Sequence, residues 1–190
     1  MGIFMLKHSS VGRSTHAART AGAHIRYIAR PGAEPDLQAE RMPVDPAAAR
    51  NWFDRQERAM RANGRVADKI IVALPLELHP LQRRRLVKAY CEDVTKGQAS
   101  WYAAIHQSGS DRNNPHAHII IHDRSVTTGK RVARLSGKNS TVMLRRQWES
   151  HLNAALRAAG IGQQLAAFRQ HRNGTQGQPQ QPARCLTAGR

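Results

Sequence analysis

Two apolar runs that meet at histidines constrain the fold of this chain more than any other feature. Ser100–His106 ends on one histidine, and His116–His122 opens on a His-Ala-His triplet, with the polar segment 107–115 between them. Both runs have the length and composition of strands, and a polar connection of this kind joins neighbours in an antiparallel hairpin. Residues two apart in a strand face the same side, so His116 and His118 share a face while Ala117 turns away. With the strand ending at His106 as the neighbour, all three imidazoles converge on one sheet face. Three imidazoles around one point are expected to hold a divalent cation, with positions left open for a ligand. His122 lies on the same face but about 13 Å from His118 at strand rise, too far to share an ion. A purely structural zinc is disfavoured, because a closed tetrahedral site wants a fourth ligand and no cysteine is near.

The remaining pattern alternates helices with strands. Gly2–Lys7 reads as a first strand. Ser14–Ala29 reads as a helix, with Ser14 as its N-cap and Pro31-Gly32 as its stop. Residues 31–46, rich in proline and acidic groups, read as a surface loop. Pro46 suits a first helical turn, and the helix runs on through Ala47–Arg61 to Asn63-Gly64. Lys69–Leu74 is a nearly continuous apolar strand closed by Pro75, Pro80–Lys96 is a helix, and Leu144–Ala159 is a last helix ended by Gly160. Four strands and four helices in this order predict an α+β fold, a mostly antiparallel sheet with helices packed on it. The organisation expected is one domain over residues 1–165 and a flexible tail or linker, rich in Gly, Gln and Pro, over 166–190.

Lys and Arg number 30 against 13 Asp and Glu, a formal net charge of +17. Such an excess points to a polyanionic partner, because each cation set against a phosphate releases a condensed counterion. No run of about 18 apolar residues occurs, so a membrane role is not expected. The opening MGIFMLKHSS lacks the features of a signal peptide, and Cys91 and Cys185 read as free thiols, which fits the cytoplasm. Residues 124–138 follow directly on the histidine strand. They contribute Lys130, Arg131, Arg134 and Lys138, the cations expected to clamp a nucleic acid near the histidines.

Chemistry on a phosphate also needs an attacking oxygen. Tyr90 lies at a helix spacing suited to burial, and Tyr102 lies inside a strand. Tyr27 ends a helix between Arg26 and Arg30, where cations favour the phenolate and attract a phosphodiester.

These segments resemble the relaxase domain of plasmid mobilisation proteins of the MobA/MobL type, members of the HUH endonuclease superfamily. The resemblance rests on Arg26-Tyr27-Ile28-Ala29-Arg30, on Ile105-His106, and on Asn114-Pro115-His116-Ala117-His118-Ile119. It also rests on Glu57–Arg65 leading to Ala73-Leu74-Pro75-Leu76-Glu77-Leu78, and on Trp148 through Asn153, Leu156 and Gly160. A tyrosine upstream of the histidines resembles relaxases, whereas rolling-circle replication initiators carry it downstream.

The resemblance implies an HUH-type palm and a strand-specific nickase in which Tyr27 attacks the scissile phosphate at an origin of transfer. The products would be a 5′-phosphotyrosyl link and a free 3′-OH. His106, His116 and His118 would hold the divalent ion, Mn²⁺ or Mg²⁺. The partners implied are single-stranded and supercoiled plasmid DNA, with accessory mobilisation proteins and a conjugative coupling protein.

Two departures stand out. Lys69 and Ile71 occupy positions where the family often has carboxylates, and the nearest acid is Asp68, one residue off, so that Asp68 through a local bulge (as base or to orient the metal), a metal-bound water and no protein base at all are the options. The loop between His106 and His116 is about three residues longer than usual, a length that a connection between adjacent strands absorbs. The alternatives are a replication initiator, a relaxase-like domain that binds DNA without cutting, and a two-histidine phosphoesterase pairing His8-Ser9-Ser10 with His106-Gln107-Ser108.

Overall fold

Three apolar runs form the centre of one antiparallel sheet, and edge strands rich in polar residues complete it. The structure is a computed structural model and describes residues 5–108, 111–133 and 135–161. In chain order the elements are β1 (Leu6–Gly12), α1 (Thr20–Ile28), β2 (Asp36–Glu40), α2 (Pro46–Ala59), β3 (Arg65–Ala73), α3 (Pro80–Thr95), β4 (Ala99–His106), β5 (His116–Ser125) and α4 (Ser140–Ala158). The strand order is β1-β3-β5-β4-β2, with every neighbouring pair antiparallel. Residues 166–190, expected to form a tail, lie outside the described residues, as does Arg134.

Helices cover both faces. Trp101, Ala103 and Ile105 of β4 and Ala117, Ile119 and Ile121 of β5 pack in one core with Leu86, Val87 and Tyr90 of α3 and Leu144, Trp148 and Leu152 of α4. The alternate residues Tyr102, Ala104 and Ile120 belong to a second core with Ile25 and Ile28 of α1 and Phe53 of α2. Period-two alternation therefore sorts the strands between two helical layers. This explains why the central strands are apolar on both sides rather than on one.

Four expectations need correction. Residues 31–46 are not all loop: Asp36–Glu40 pairs with β4, from Asp36 opposite Ile105 to Glu40 opposite Trp101. Its acids resemble a solvated loop until α3 supplies their partners, Arg84 to Asp36 and Lys88 to Glu40 at 2.6 Å. The first strand runs onward to Gly12 through His8, Ser9 and Ser10, tolerated because an edge strand pairs on one side only. The first helix begins at Thr20, not near Ser14. The turn at Gly12–His16 occupies that segment, and Glu57 of α2 accepts from the Arg19 backbone N–H at 3.1 and 3.0 Å. A carboxylate from another helix thus takes over the end of α1 from the local hydroxyl. The last helix likewise starts earlier, at Ser140.

Where caps are local, the helices follow them. Asp45 accepts from the Ala48 N–H at 2.8 Å ahead of Pro46, and Gln82 reaches back to the His79 N–H at 2.8 Å around Pro80. Among the described residues no helix is long and apolar enough to cross a membrane.

Removing the Glu57 carboxylate leaves the Arg19 N–H without its acceptor. Glu57→Ala should therefore cost about 1–3 kcal/mol in urea unfolding, and an unchanged midpoint would show that the carboxylate does not hold α1. A second prediction concerns His122, buried with Nδ1 donating to the Val66 carbonyl at 2.9 Å and its ring against Trp52. Burial holds its pKa below the ordinary 6.5. The unfolded chain then binds a proton that the folded chain refuses, so stability is lost as pH falls below about 6.5. His122→Asn should flatten the slope of stability against pH over that range, whatever it does to the level. An unaltered slope would contradict the assignment.

Candidate functional site

The helix pattern of α1 decides what reaches the histidines. Ala21, Ile25 and Ile28 form its buried stripe, and Gly22 lets it approach α2 closely, since a Cβ there would lie 2.5 Å from Asp54 Oδ1. That orientation leaves His24 and Tyr27, three residues apart, together on a flank. The His24 ring lies 6.4 Å from the Tyr27 ring, nearly parallel to it, and 6.2 Å from the His118 ring, edge-on. Tyr27 is 59 % exposed, open to a large substrate. Arg30 places its guanidinium 4.8 Å above the Tyr27 ring and donates to the Tyr27 carbonyl at 3.1 Å.

The hairpin brings the three histidines together. His106 is directly opposite His116 in the β4–β5 ladder, and His118 follows on the same face. Ring centroids are 5.1 Å apart for His106–His116, 5.3 Å for His106–His118 and 5.1 Å for His116–His118. Nδ1 of His116 donates to the Asn114 carbonyl at 2.9 Å, which leaves Nε2 free as an electron-pair donor. Nε2 of His106 and Nδ1 of His118 are buried without a hydrogen-bond partner. Burial pushes the His118 pKa down to about 3, helped by the charges of His116 and His106. Burial, then Lys69, pushes His24 down to about 4, and burial, then His116, lowers His106. At neutral pH these rings are uncharged bases, the form that binds a cation. The orphaned buried nitrogen of His118 and the close-set donors of His106 and His116 fit a divalent ion.

Two residues join the site that sequence reasoning missed. His24 could have been found from its i, i+3 spacing to Tyr27. Asp111 sits in the loop between the histidine strands, with Oδ2 3.7 Å from His106 Nδ1. Donor atoms of His106, Asp111 and His116 lie within 4.8 Å of one another. No local signal in the sequence singles out that carboxylate from other loop acids.

Other expected residues do not converge. Asp68 points to the opposite face, into the core side of α4. There it accepts from His8 Nε2 at 2.9 Å and from Arg65 at 2.9 Å, while His8 Nδ1 meets the Thr141 hydroxyl at 3.1 Å. No bulge turns it, because β3 keeps an unbroken register with β5 from Asp68 to Ala73. Asp68 is therefore a buried structural acid, its pKa raised by burial against the pull of His8 and Arg65. The same geometry separates His8 from His106 by the thickness of the sheet, which removes the two-histidine phosphoesterase.

Arg26 turns toward α2, where with Pro31, Asp45, Arg50 and Asn51 it lines a cleft of about 470 Å³; Arg30 is the arginine at the site. Residues 124–133 and 135–138 do not flank the histidines as expected. The ten residues of β5 carry the chain roughly 30 Å from His116, and Leu135 accepts from Arg65 at the far end of β3. Lys130 and Lys138 are exposed there, and Arg131 pairs with Asp123 at 2.6 Å.

Comparison with known proteins places this arrangement in context. Residues 6–184 match the model of the MobA/MobL family. The chain is 30% identical over 189 residues to Mobilization protein A of Escherichia coli, covering 84% of this chain and 26% of that protein. It spans between 14% and 34% of the length of the curated relatives it matches. A solved structure concerned with the molecular basis of vancomycin resistance transfer in Staphylococcus aureus superposes with a TM-score of 0.67 at 18% identity, over 88% of this chain and 99% of that one. The metal-bound structure of the conjugative relaxase TrwC in complex with oriT DNA has a TM-score of 0.54 at 16% identity, over 82% of this chain and 70% of that one. At these identities the structures establish a shared fold, that of relaxases, and the sequence match over most of its length establishes that the chain belongs to the MobA/MobL family.

Proposed function

We propose that this chain is a DNA relaxase domain that nicks one strand at a plasmid origin of transfer. The observation that carries the reading is the seating of the α1 end, with Tyr27 and Arg30, against the end of the hairpin that presents His106, His116 and His118. A nucleophile, a cation and a cluster of imidazoles then meet at one end of the sheet, the set of parts that transfer at a phosphodiester needs.

The Tyr27 phenolic oxygen forms a bond to phosphorus while the bond from phosphorus to the 3′ oxygen breaks. The leaving 3′ oxygen takes up a proton, and the exposed phenol gives up its own to water. The DNA remains attached through a 5′-phosphotyrosine, so the energy of the broken bond is kept for rejoining. Arg30 holds positive charge over the ring of the attacking phenol, 4.8 Å from its centre. A divalent ion on His106, His116 and His118, Mn²⁺ or Mg²⁺ in the cell, would supply charge to a non-bridging phosphate oxygen. His24 fills the space between Tyr27 and His118 and keeps the two in fixed relation.

The net charge of +17 supports DNA as the partner. Arg26, Lys130, Arg134 and Lys138 are proposed to hold its backbone, Lys130 and Lys138 away from the cut, whereas Arg131 is engaged by Asp123. Accessory mobilisation proteins, a conjugative coupling protein and a bacterial cytoplasmic location complete the proposal.

The test is covalent capture of labelled single-stranded DNA carrying the cognate origin, incubated with Mn²⁺ and run on a denaturing gel. Wild-type protein should give a shifted band. Tyr27→Phe should abolish it while changing DNA affinity by no more than about tenfold, the scale of one lost hydrogen bond. His116→Ala and a chelator should each remove the band as well. An adduct with Tyr27→Phe would sink the assignment of the nucleophile. DNA binding with no adduct from the wild type would leave the binding-only reading, which Lys69 and Ile71 favour.

A further inference from the structure

At the β3 positions where the resemblance implies carboxylates, Lys69 and Ile71 face the histidine side. One carboxylate nevertheless stands at the histidines. It comes from the loop between β4 and β5, where the Asp111 N–H donates to the Ser108 carbonyl at 3.1 Å and a turn over 111–114 sets the Asn114 N–H on the Asp111 carbonyl at 2.9 Å. The same Asn114 carbonyl holds Nδ1 of His116. One turn thus sets both the Asp111 carboxylate and the His116 ring.

We infer that Asp111 is an oxygen ligand of the divalent ion, acting with His106 and His116 and supplied by the lengthened loop in place of a carboxylate on β3. The inference rests on the metal-dependent reading of the site given above. The distance separates a ligand from a hydrogen-bond partner. An imidazolium or N–H on a carboxylate closes to about 2.7–2.9 Å, whereas Asp111 Oδ2 stands 3.7 Å from His106 Nδ1. Two donors each about 2.1 Å from one ion stand about 3.4 Å apart at the tetrahedral angle. The spacing is that of two ligands facing one ion. The side chain is 30 % exposed, so it sits at the mouth of the site and not in the core. A carboxylate among imidazoles also hardens the donor set, shifting its preference toward Mn²⁺ and Mg²⁺ over softer ions.

The experiment is titration of purified, metal-stripped protein with Mn²⁺ alone, followed by calorimetry and by loss of the free-ion electron paramagnetic resonance signal, with no DNA present. Wild type, Asp111→Asn and His116→Ala are compared, and the melting temperature of each metal-free protein is recorded. Asp111→Asn keeps size and polarity in an exposed loop, so its metal-free melting should match the wild type. The inference expects Asp111→Asn to bind Mn²⁺ more weakly by at least the 10–100-fold typical of losing even an outer partner of a metal ligand. If Asp111→Asn binds as the wild type does while His116→Ala loses binding, Asp111 is not a ligand and the histidine site stands. Absence of Mn²⁺ binding by the wild type would overturn both.

Discussion

The register of the β4–β5 hairpin is the constraint on which the site depends. His106 faces His116 across the ladder, and that pairing fixes His118 beside them. Because side chains alternate strictly, a slip of one residue would send all of β5 to the wrong face. Ile119 and Ile121 would leave the α3–α4 core, and His116 and His118 would enter it. Both faces of the sheet are covered by helices, so such a slip would bury imidazoles among leucines and expel isoleucines on the other side. The apolar packing that stabilises the fold is therefore what aligns the polar chemistry. This differs from a site built on loops, where stability and alignment are separate problems.

Burial makes the histidine cluster tolerable. Three rings about 5 Å apart would repel one another as imidazolium ions. Desolvation holds His118 and His106 neutral and Arg30 pushes them the same way by its charge, while Lys69 acts likewise on His24. A carboxylate on β3 at position 69 would work against this by favouring the charged rings. Lys69 instead reinforces neutrality, and the one acid near the cluster comes from outside the sheet. Negative charge thus stands at the rim of the site, on Asp111, and not on its floor.

What could be read in advance follows from how far apart the determining residues lie. Lys69–Leu74, Ser100–His106 and His116–His122 declare themselves as strands because burial on both faces demands continuous apolar residues. The convergence of the three histidines follows from period two alone. Asp36–Glu40 does not declare itself, since its acids are matched by Arg84 and Lys88 of a helix more than forty residues away. The start of α1 is hidden for the same reason: its cap is Glu57, not Ser14. Asp68 shows the limit of motif alignment. One position along a strand separates a ligand candidate from the partner of His8 and Arg65 on the far face.

Charge behaves likewise. A net +17 suits a polyanionic partner but carries no address. Adjacency in sequence suggested that Lys130 and Arg131 flank the histidines, yet a strand is a straight spacer, and ten residues of it put them about 30 Å away. Arg131 is further discounted by Asp123, which neutralises it locally. At the histidines themselves the charge comes from Arg30 and Lys69, two residues from different elements that only the packing of α1 on the sheet brings together. Helix packing thus decides both which tyrosine can reach the histidines and which cations accompany it. Gly22, where a Cβ would meet Asp54 at 2.5 Å, is the point at which that packing is most exacting.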